Sequence, residues 1–254
     1  EPDGWTNPEA YAKIAKPIYE KIKQVNPKTT VLACSVSGGD SDSDFAFTRR
    51  FLAAGGDKIC DGIPYHPYSS IRSFGPGLQS ISPEDNKLYE KMLEGQKLSK
   101  SAGLRTWIGE VGFLTINEYR FPRPEFHRYE KNYANYMARL FLISKCIPEL
   151  ERVVWFHLCM DDTPLSLFAS YYGTYDSMAP NNNITPCLTA YANLASLIDG
   201  SKFVKKLQLS YPDIWGVQVN KNGKDILALW NAKDKNILSL DYSKEIKTVS
   251  IVGY

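Results

Sequence analysis

Arg105-Thr106-Trp107-Ile108-Gly109-Glu110-Val111-Gly112 is a short, largely apolar run that carries a carboxylate between small residues. Its first five residues read as a buried strand that delivers Glu110 at its C-terminal end. Three further runs share this design. Thr30-Val31-Leu32-Ala33-Cys34 enters the polar loop Ser35 to Asp44, and Lys58 to Ile63 enters Pro64-Tyr65-His66-Pro67-Tyr68. Arg152 to Leu158 precedes a long loop.

Helical patterns separate these runs. Asn7 and Pro8 form a capped helix start, followed by an apolar stripe at Tyr11, Ile14, Ile18, Ile22 and Val25 with a kink predicted at Pro17. Phe45, Phe47, Phe51 and Leu52 mark a second helix that stops at Gly55-Gly56. Ser82-Pro83-Glu84-Asp85 resembles a helix start leading to Ser101, and further helices are predicted from Glu125 to Cys146 and from Thr185-Pro186 to Gly200. Beyond Lys202 the character changes to strands at 214–219, 226–230, 237–240 and 248–252, with Asn222-Gly223 as a turn.

Alternating helices and buried strands imply an α/β fold with a parallel sheet wrapped by helices. A closed (β/α)8 TIM barrel needs eight strands and about 250 residues. Four strands with following helices are visible. The expected organisation is therefore the C-terminal half of such a barrel over residues 1–201, then part of a small antiparallel β-sandwich-type domain over 202–254.

The totals restrict the function classes. A formal net charge of +2, with lysines spread along the chain, offers no basic stripe for nucleic acid. No apolar run is long enough for a membrane span. Sixteen Tyr, five Trp and eleven Phe suit a cleft in which sugar faces stack on aromatic rings. The five cysteines are widely spaced without zinc-site pairs and read as buried free thiols. Asp40-Ser41-Asp42-Ser43-Asp44 lacks the Gly and terminal Glu of a calcium loop, so no metal is expected. Gly38-Gly39 lacks the Lys of a phosphate loop, and neither an esterase elbow nor a dinucleotide fingerprint occurs, so no cofactor is expected. No signal peptide is visible from Glu1 onwards; an extracellular or cell-envelope location is expected if a precursor carries one.

Polar and aromatic residues gather past the C-terminal ends of the predicted strands, the face on which barrel enzymes build their sites. Glu1-Pro2-Asp3-Gly4-Trp5 resembles the tail of the Asn-Glu-Pro motif that closes the fourth barrel strand of clan A retaining glycosidases. Ile108-Gly109-Glu110-Val111-Gly112 resembles their nucleophile segment on the seventh strand. Residues 63–68 are similar to the end of the sixth strand and Val154-Trp155-Phe156-His157 to that of the eighth. Order and spacing agree over residues 1–200, with family 39 of the glycoside hydrolases nearest and family 5 behind it.

The resemblance implies a retaining O-glycoside hydrolase acting on a poly- or oligosaccharide or glycoconjugate. Glu110 would be the nucleophile and Glu1 the general acid/base, with carboxyls about 5–5.5 Å apart. His66 or Tyr68 would orient Glu110, Trp155 would floor the sugar pocket, and Trp5, His157 and Asp161 would line it. The segment from Asp161 to Asn183, with Tyr171, Tyr172 and Tyr175, is the expected specificity element. Its partners would be the carbohydrate and the missing N-terminal half of the barrel, from the same polypeptide or a second chain. The competing reading is a non-catalytic sugar-binding remnant or an inactive fragment.

Overall fold

The computed structural model describes residues 7–36, 45–68, 71–74, 77–113, 123–156 and 186–233. Its central sheet contains β1 (Gly62–Tyr65), β4 (Arg105–Val111) and β5 (Leu150–Trp155) in the order β1-β4-β5, all parallel. Tyr65 pairs with Ile108 and Ile108 with Val153, so the apolar runs lie side by side. Between these strands run α3 (Leu88–Ser101) and α4 (Arg123–Lys145), giving the β/α alternation that the sequence implies.

Residues 31–36 lie along the other edge of β1. Asp61 N–H donates to Val31 O at 2.7 Å, Ala33 N–H to Gly62 O at 3.1 Å, and His66 N–H to Val36 O at 3.2 Å. The full strand predicted at Thr30–Cys34 is reduced to a bridge between Leu32 and Gly62. Cys34 explains the difference, because its φ of 63° takes the chain out of the extended region. The strand predicted at Lys58–Ile63 likewise begins only at Gly62, since Gly55 at φ 87° leads into a short 3-10 turn over Gly56–Lys58.

The first helix, α1 (Pro8–Val25), is capped as predicted, with Ala10 N–H donating to Asn7 Oδ1 at 2.7 Å. Its inward face differs from the predicted stripe. Pro8 and Ala12 are buried, and Tyr11, Ala15 and Tyr19 pack on the core, whereas Ile14, Ile18 and Val25 are 60%, 55% and 74% exposed. Two anchors set this rotation. Tyr11 meets Phe51 of α2 (Ala46–Ala53) at 5.6 Å between ring centroids, and Lys23 pairs with Asp61 at 2.7 Å. Ser82-Pro83-Glu84-Asp85 forms a turn rather than the helix start: Ser82 Oγ accepts from Asp85 N–H, and α3 begins after Lys87 at φ 53°. A hairpin of β2 (Ile71–Phe74) and β3 (Gly77–Ser80), unpredicted, occupies the connection after β1.

Apolar side chains of the sheet and helices form the main core, including Ile63, Met92, Ile108, Met137, Leu140 and Ile143. Tyr65 leans against Gly95 of α3, where a Cβ would approach its ring to 3.1 Å, and its hydroxyl reaches Ser99 Oγ at 3.0 Å. The antiparallel sheet of β6 (Lys202–Lys206), β7 (Ile214–Lys221) and β8 (Lys224–Asn231) turns at Asn222-Gly223, both at positive φ, as the sequence implies. Val217 and Val219 pack with Ala138 and Leu142 of α4 and with Leu194 and Ile198 of α5 (Pro186–Ile198). Glu84, in the turn before α3, ties the antiparallel sheet to α4. It accepts from Trp230 Nε1 at 2.6 Å and pairs with Arg139 at 3.3 Å, its side chain only 7% exposed. The strands predicted at 237–240 and 248–252 lie outside the described residues.

Cys34, Cys60, Cys146 and Cys187 are buried thiols. Burial pushes the Cys60 thiol up to about 12 and Cys146 to about 11, and raises Cys187 well above its usual value.

Candidate active site

Glu110 stands near the C-terminal end of β4, its side chain 26% exposed. His66 follows β1 on the neighbouring strand, and its Nδ1 lies 3.1 Å from Glu110 Oε2. Parallel pairing brings the two together, because Tyr65 lies opposite Ile108 and the residue after β1 therefore falls beside the last residues of β4. Gly109 makes the approach possible. A Cβ on it would come within 3.1 Å of His66 Nε2 and 2.7 Å of Pro64 Cβ.

Ser35 Oγ lies 2.8 Å from His66 Nε2, so the imidazole bridges a hydroxyl and a carboxylate. Tyr68 also hydrogen-bonds Glu110 through its side chain. The hydrogen bond from His66 is the main influence holding the Glu110 carboxyl below its ordinary range. Burial opposes that shift, and the Tyr68 bond adds to it. Tyr68 is held in turn, its carbonyl accepting from Asn86 Nδ2 at 3.2 Å. The result is a charged, oriented and partly exposed carboxylate at the end of a parallel strand. Such a group can act as a nucleophile or a base.

At the end of β5 the structure resolves which residue faces which side. Trp155 packs its ring among Tyr133, Phe113 and Phe141 at centroid distances of 5.6, 6.2 and 6.4 Å, and therefore faces the helices. Its buried Nε1 has no hydrogen-bond partner among the described residues. Phe156 instead meets Tyr68 edge-on at 6.4 Å, on the side of the carboxylate. Of the residues singled out from sequence, the fold thus assembles Glu110, His66 and Tyr68, and it seats Trp155 against α4. Glu1, Trp5, His157 and Asp161 lie outside the described residues, as does the segment from Asp161 to Asn183.

Sequence reasoning missed Ser35 and Phe156. Ser35 carries no signal beyond standing after an apolar run. Phe156 was hidden because the two sides of a strand alternate and their phase is not fixed by composition. Among the described residues, no group of three or more His, Cys, Asp or Glu could hold a metal ion, and no helix is long and apolar enough to cross a membrane.

No family model matches the sequence, and no curated protein matches it. Solved structures do match. A family 39 glycoside hydrolase from the gut symbiont Bacteroides cellulosilyticus WH2 superposes with a TM-score of 0.61 at 22% identity, over 88% of this chain and 44% of its own. A glucosidase from Croceicoccus marinus gives 0.54 at 11% identity, over 84% of this chain and 44% of its own. The chain spans less than half the length of either structure. At these identities the likeness is one of fold: the α/β arrangement of this chain is that of part of these glycoside hydrolases.

Proposed function

We propose that this chain carries the nucleophile side of a retaining O-glycoside hydrolase with a (β/α)8 barrel. The observation that carries this reading is the hydrogen bonding of Glu110 by His66 and Tyr68 at the end of a parallel strand. The fold it shares with part of a family 39 glycoside hydrolase supports the same reading.

Glu110 attacks the anomeric carbon of a bound sugar while Glu1 protonates the leaving oxygen. A covalent glycosyl-enzyme forms, and Glu1 then deprotonates the water that releases the sugar. His66 and Tyr68 hold one orientation of the carboxylate and keep it ionised for attack. Phe156, Trp5, His157 and Asp161 line the sugar site, with the segment Asp161–Asn183 selecting the substrate. Residues 1–201 form the C-terminal half of the barrel and residues 202–254 belong to an accessory β-sandwich.

An N-terminal half, covalent or bound as a second chain, completes the site. Several features favour it. β5 and the segment 31–36 are the outer edges of the parallel sheet among the described residues. Val154 on β5 is 46% exposed, and the Ile14, Ile18 and Val25 stripe faces outward. Open edges and apolar stripes of this kind call for a partner surface.

The test combines the chain with its N-terminal portion and offers a 2-deoxy-2-fluoro glycoside with an activated leaving group. A stoichiometric covalent adduct on Glu110, absent in Glu110→Gln, is expected. Labelling at another residue, or turnover unchanged in Glu110→Gln, would refute the assignment. Sugar binding without any turnover would favour the non-catalytic remnant. Activity of the purified monomeric 254-residue chain would overturn the need for a complement.

A further inference from the structure

Ser35 approaches His66 from the side opposite Glu110. It follows Cys34, whose positive φ turns the chain at the edge of β1, and the turn aims Ser35 Oγ at His66 Nε2. These contacts, 2.8 Å to the hydroxyl and 3.1 Å to the carboxylate, use both ring nitrogens. A neutral imidazole carries one N–H, and the partner of one nitrogen decides where that proton resides. An ionised carboxylate only accepts, whereas a hydroxyl either donates or accepts. With a neutral ring, one arrangement satisfies both contacts: Ser35 Oγ–H donates to Nε2, and Nδ1–H donates to Glu110.

We propose that Ser35 is a positioning residue that fixes His66 in its Nδ1–H tautomer, so that the ring donates to Glu110 rather than facing it with a lone pair. The surroundings reinforce this. The His66 side chain is 9% exposed, and Gly109 lies close beneath Nε2, which leaves the ring little room to turn over. The tautomer assignment stands on this geometry with a neutral ring, and its consequence for attack rests on the function proposed above.

The experiment labels the full chain with 15N-histidine and records long-range proton–nitrogen spectra at neutral pH. The chain has three histidines, and loss of one set of signals in His66→Gln assigns those of His66. The wild-type protein is expected to show a protonated Nδ1 and an unprotonated Nε2. Ser35→Ala is expected to shift His66 toward the Nε2–H tautomer or the doubly protonated ring, and Ser35→Thr to restore the wild-type pattern. A wild-type Nε2–H tautomer or imidazolium would overturn the proposal, as would a His66 spectrum unchanged in Ser35→Ala. The wild-type and Ser35→Thr spectra decide the matter even if Ser35→Ala does not fold. In the assembled enzyme, Ser35→Ala should lower kcat about tenfold with KM nearly unchanged, the scale of one hydrogen bond. An inactive wild-type enzyme with the Nδ1–H tautomer in place would defeat the glycosidase reading and leave the tautomer assignment standing.

Discussion

Gly109 lies so close to His66 that a single methyl group there would reach within 3.1 Å of the imidazole Nε2. The glycine is thus part of the candidate site through the side chain it lacks. Gly109→Ala must displace Pro64 or His66, and overpacking of this kind costs about 1–3 kcal/mol. Thermal denaturation should show that loss, together with a changed His66 signal; an unchanged melting temperature and spectrum would mean that the strand yields elsewhere.

His66 is the main cause of the depressed Glu110 pKa. The free-enzyme profile of kcat/KM should therefore have its acid limb below the ordinary glutamate value of 4.5. His66→Gln should move that limb upward and lower the plateau. A limb that stays in place would assign the ionisation to another group.

Asp61 staples the base of the sheet, accepting from Lys23 Nζ and Val31 N–H, each at 2.7 Å, and from Tyr19 at 3.3 Å. Burial alone would raise its pKa, but these donors outweigh burial and hold it below 3.8. A depressed folded-state pKa contributes stability that is present above the unfolded value and lost as pH falls through the folded one. Asp61→Asn should thus destabilise by about 1–3 kcal/mol at neutral pH, with the gap narrowing below about pH 4. Urea titrations of both proteins at neutral and acid pH measure it, and a gap independent of pH would contradict the ionic account.

Arg139 shares the buried Glu84 carboxylate with Trp230. Arg139→Met strands that carboxylate without its cation and should cost about 3 kcal/mol. Trp230→Phe, which removes one neutral donor, should cost less. Equilibrium unfolding in urea ranks the two, and equal losses would point to packing rather than charge.

Replacing Ile14 and Ile18 by Lys and Val25 by Glu should leave the stability of the isolated chain within about 0.5 kcal/mol, because these side chains are exposed. If the proposed N-terminal half covers α1, the same triple variant should bind it at least tenfold more weakly in titration calorimetry. Unaltered binding would place the contact at the sheet edges alone.

Much of this architecture was legible from local pattern. The Arg105 run, the Asn7 cap and the Asn222-Gly223 turn each declare themselves through neighbours in sequence, and each formed where predicted. The stripe of α1 failed for a tertiary reason. Ile14 and Ile18 are more apolar than Ala12 and Ala15, but the ring of Tyr11 and the charge of Lys23 have fixed partners in Phe51 and Asp61, and those partners choose the inward face. Left-handed residues at Cys34 and Lys87 shortened one strand and delayed one helix without any glycine to announce them. Within the site, Glu110, His66 and Tyr68 were legible because the motif carries them. Ser35 was not, since its role exists only across two segments that meet in space.

The buried thiols turn the chain into its own stopwatch. Thiolate is the reactive form, and a thiol raised to about 11 or 12 is almost wholly protonated at neutral pH. These three thiols are also buried, so alkylation of Cys60, Cys146 or Cys187 waits for the surrounding structure to open. Each reports a different place: the approach to β1, the end of α4 against the antiparallel sheet, and the first turn of α5. In a Cys159→Ser background, the order in which mass spectrometry finds them modified would give the order in which the protein comes apart.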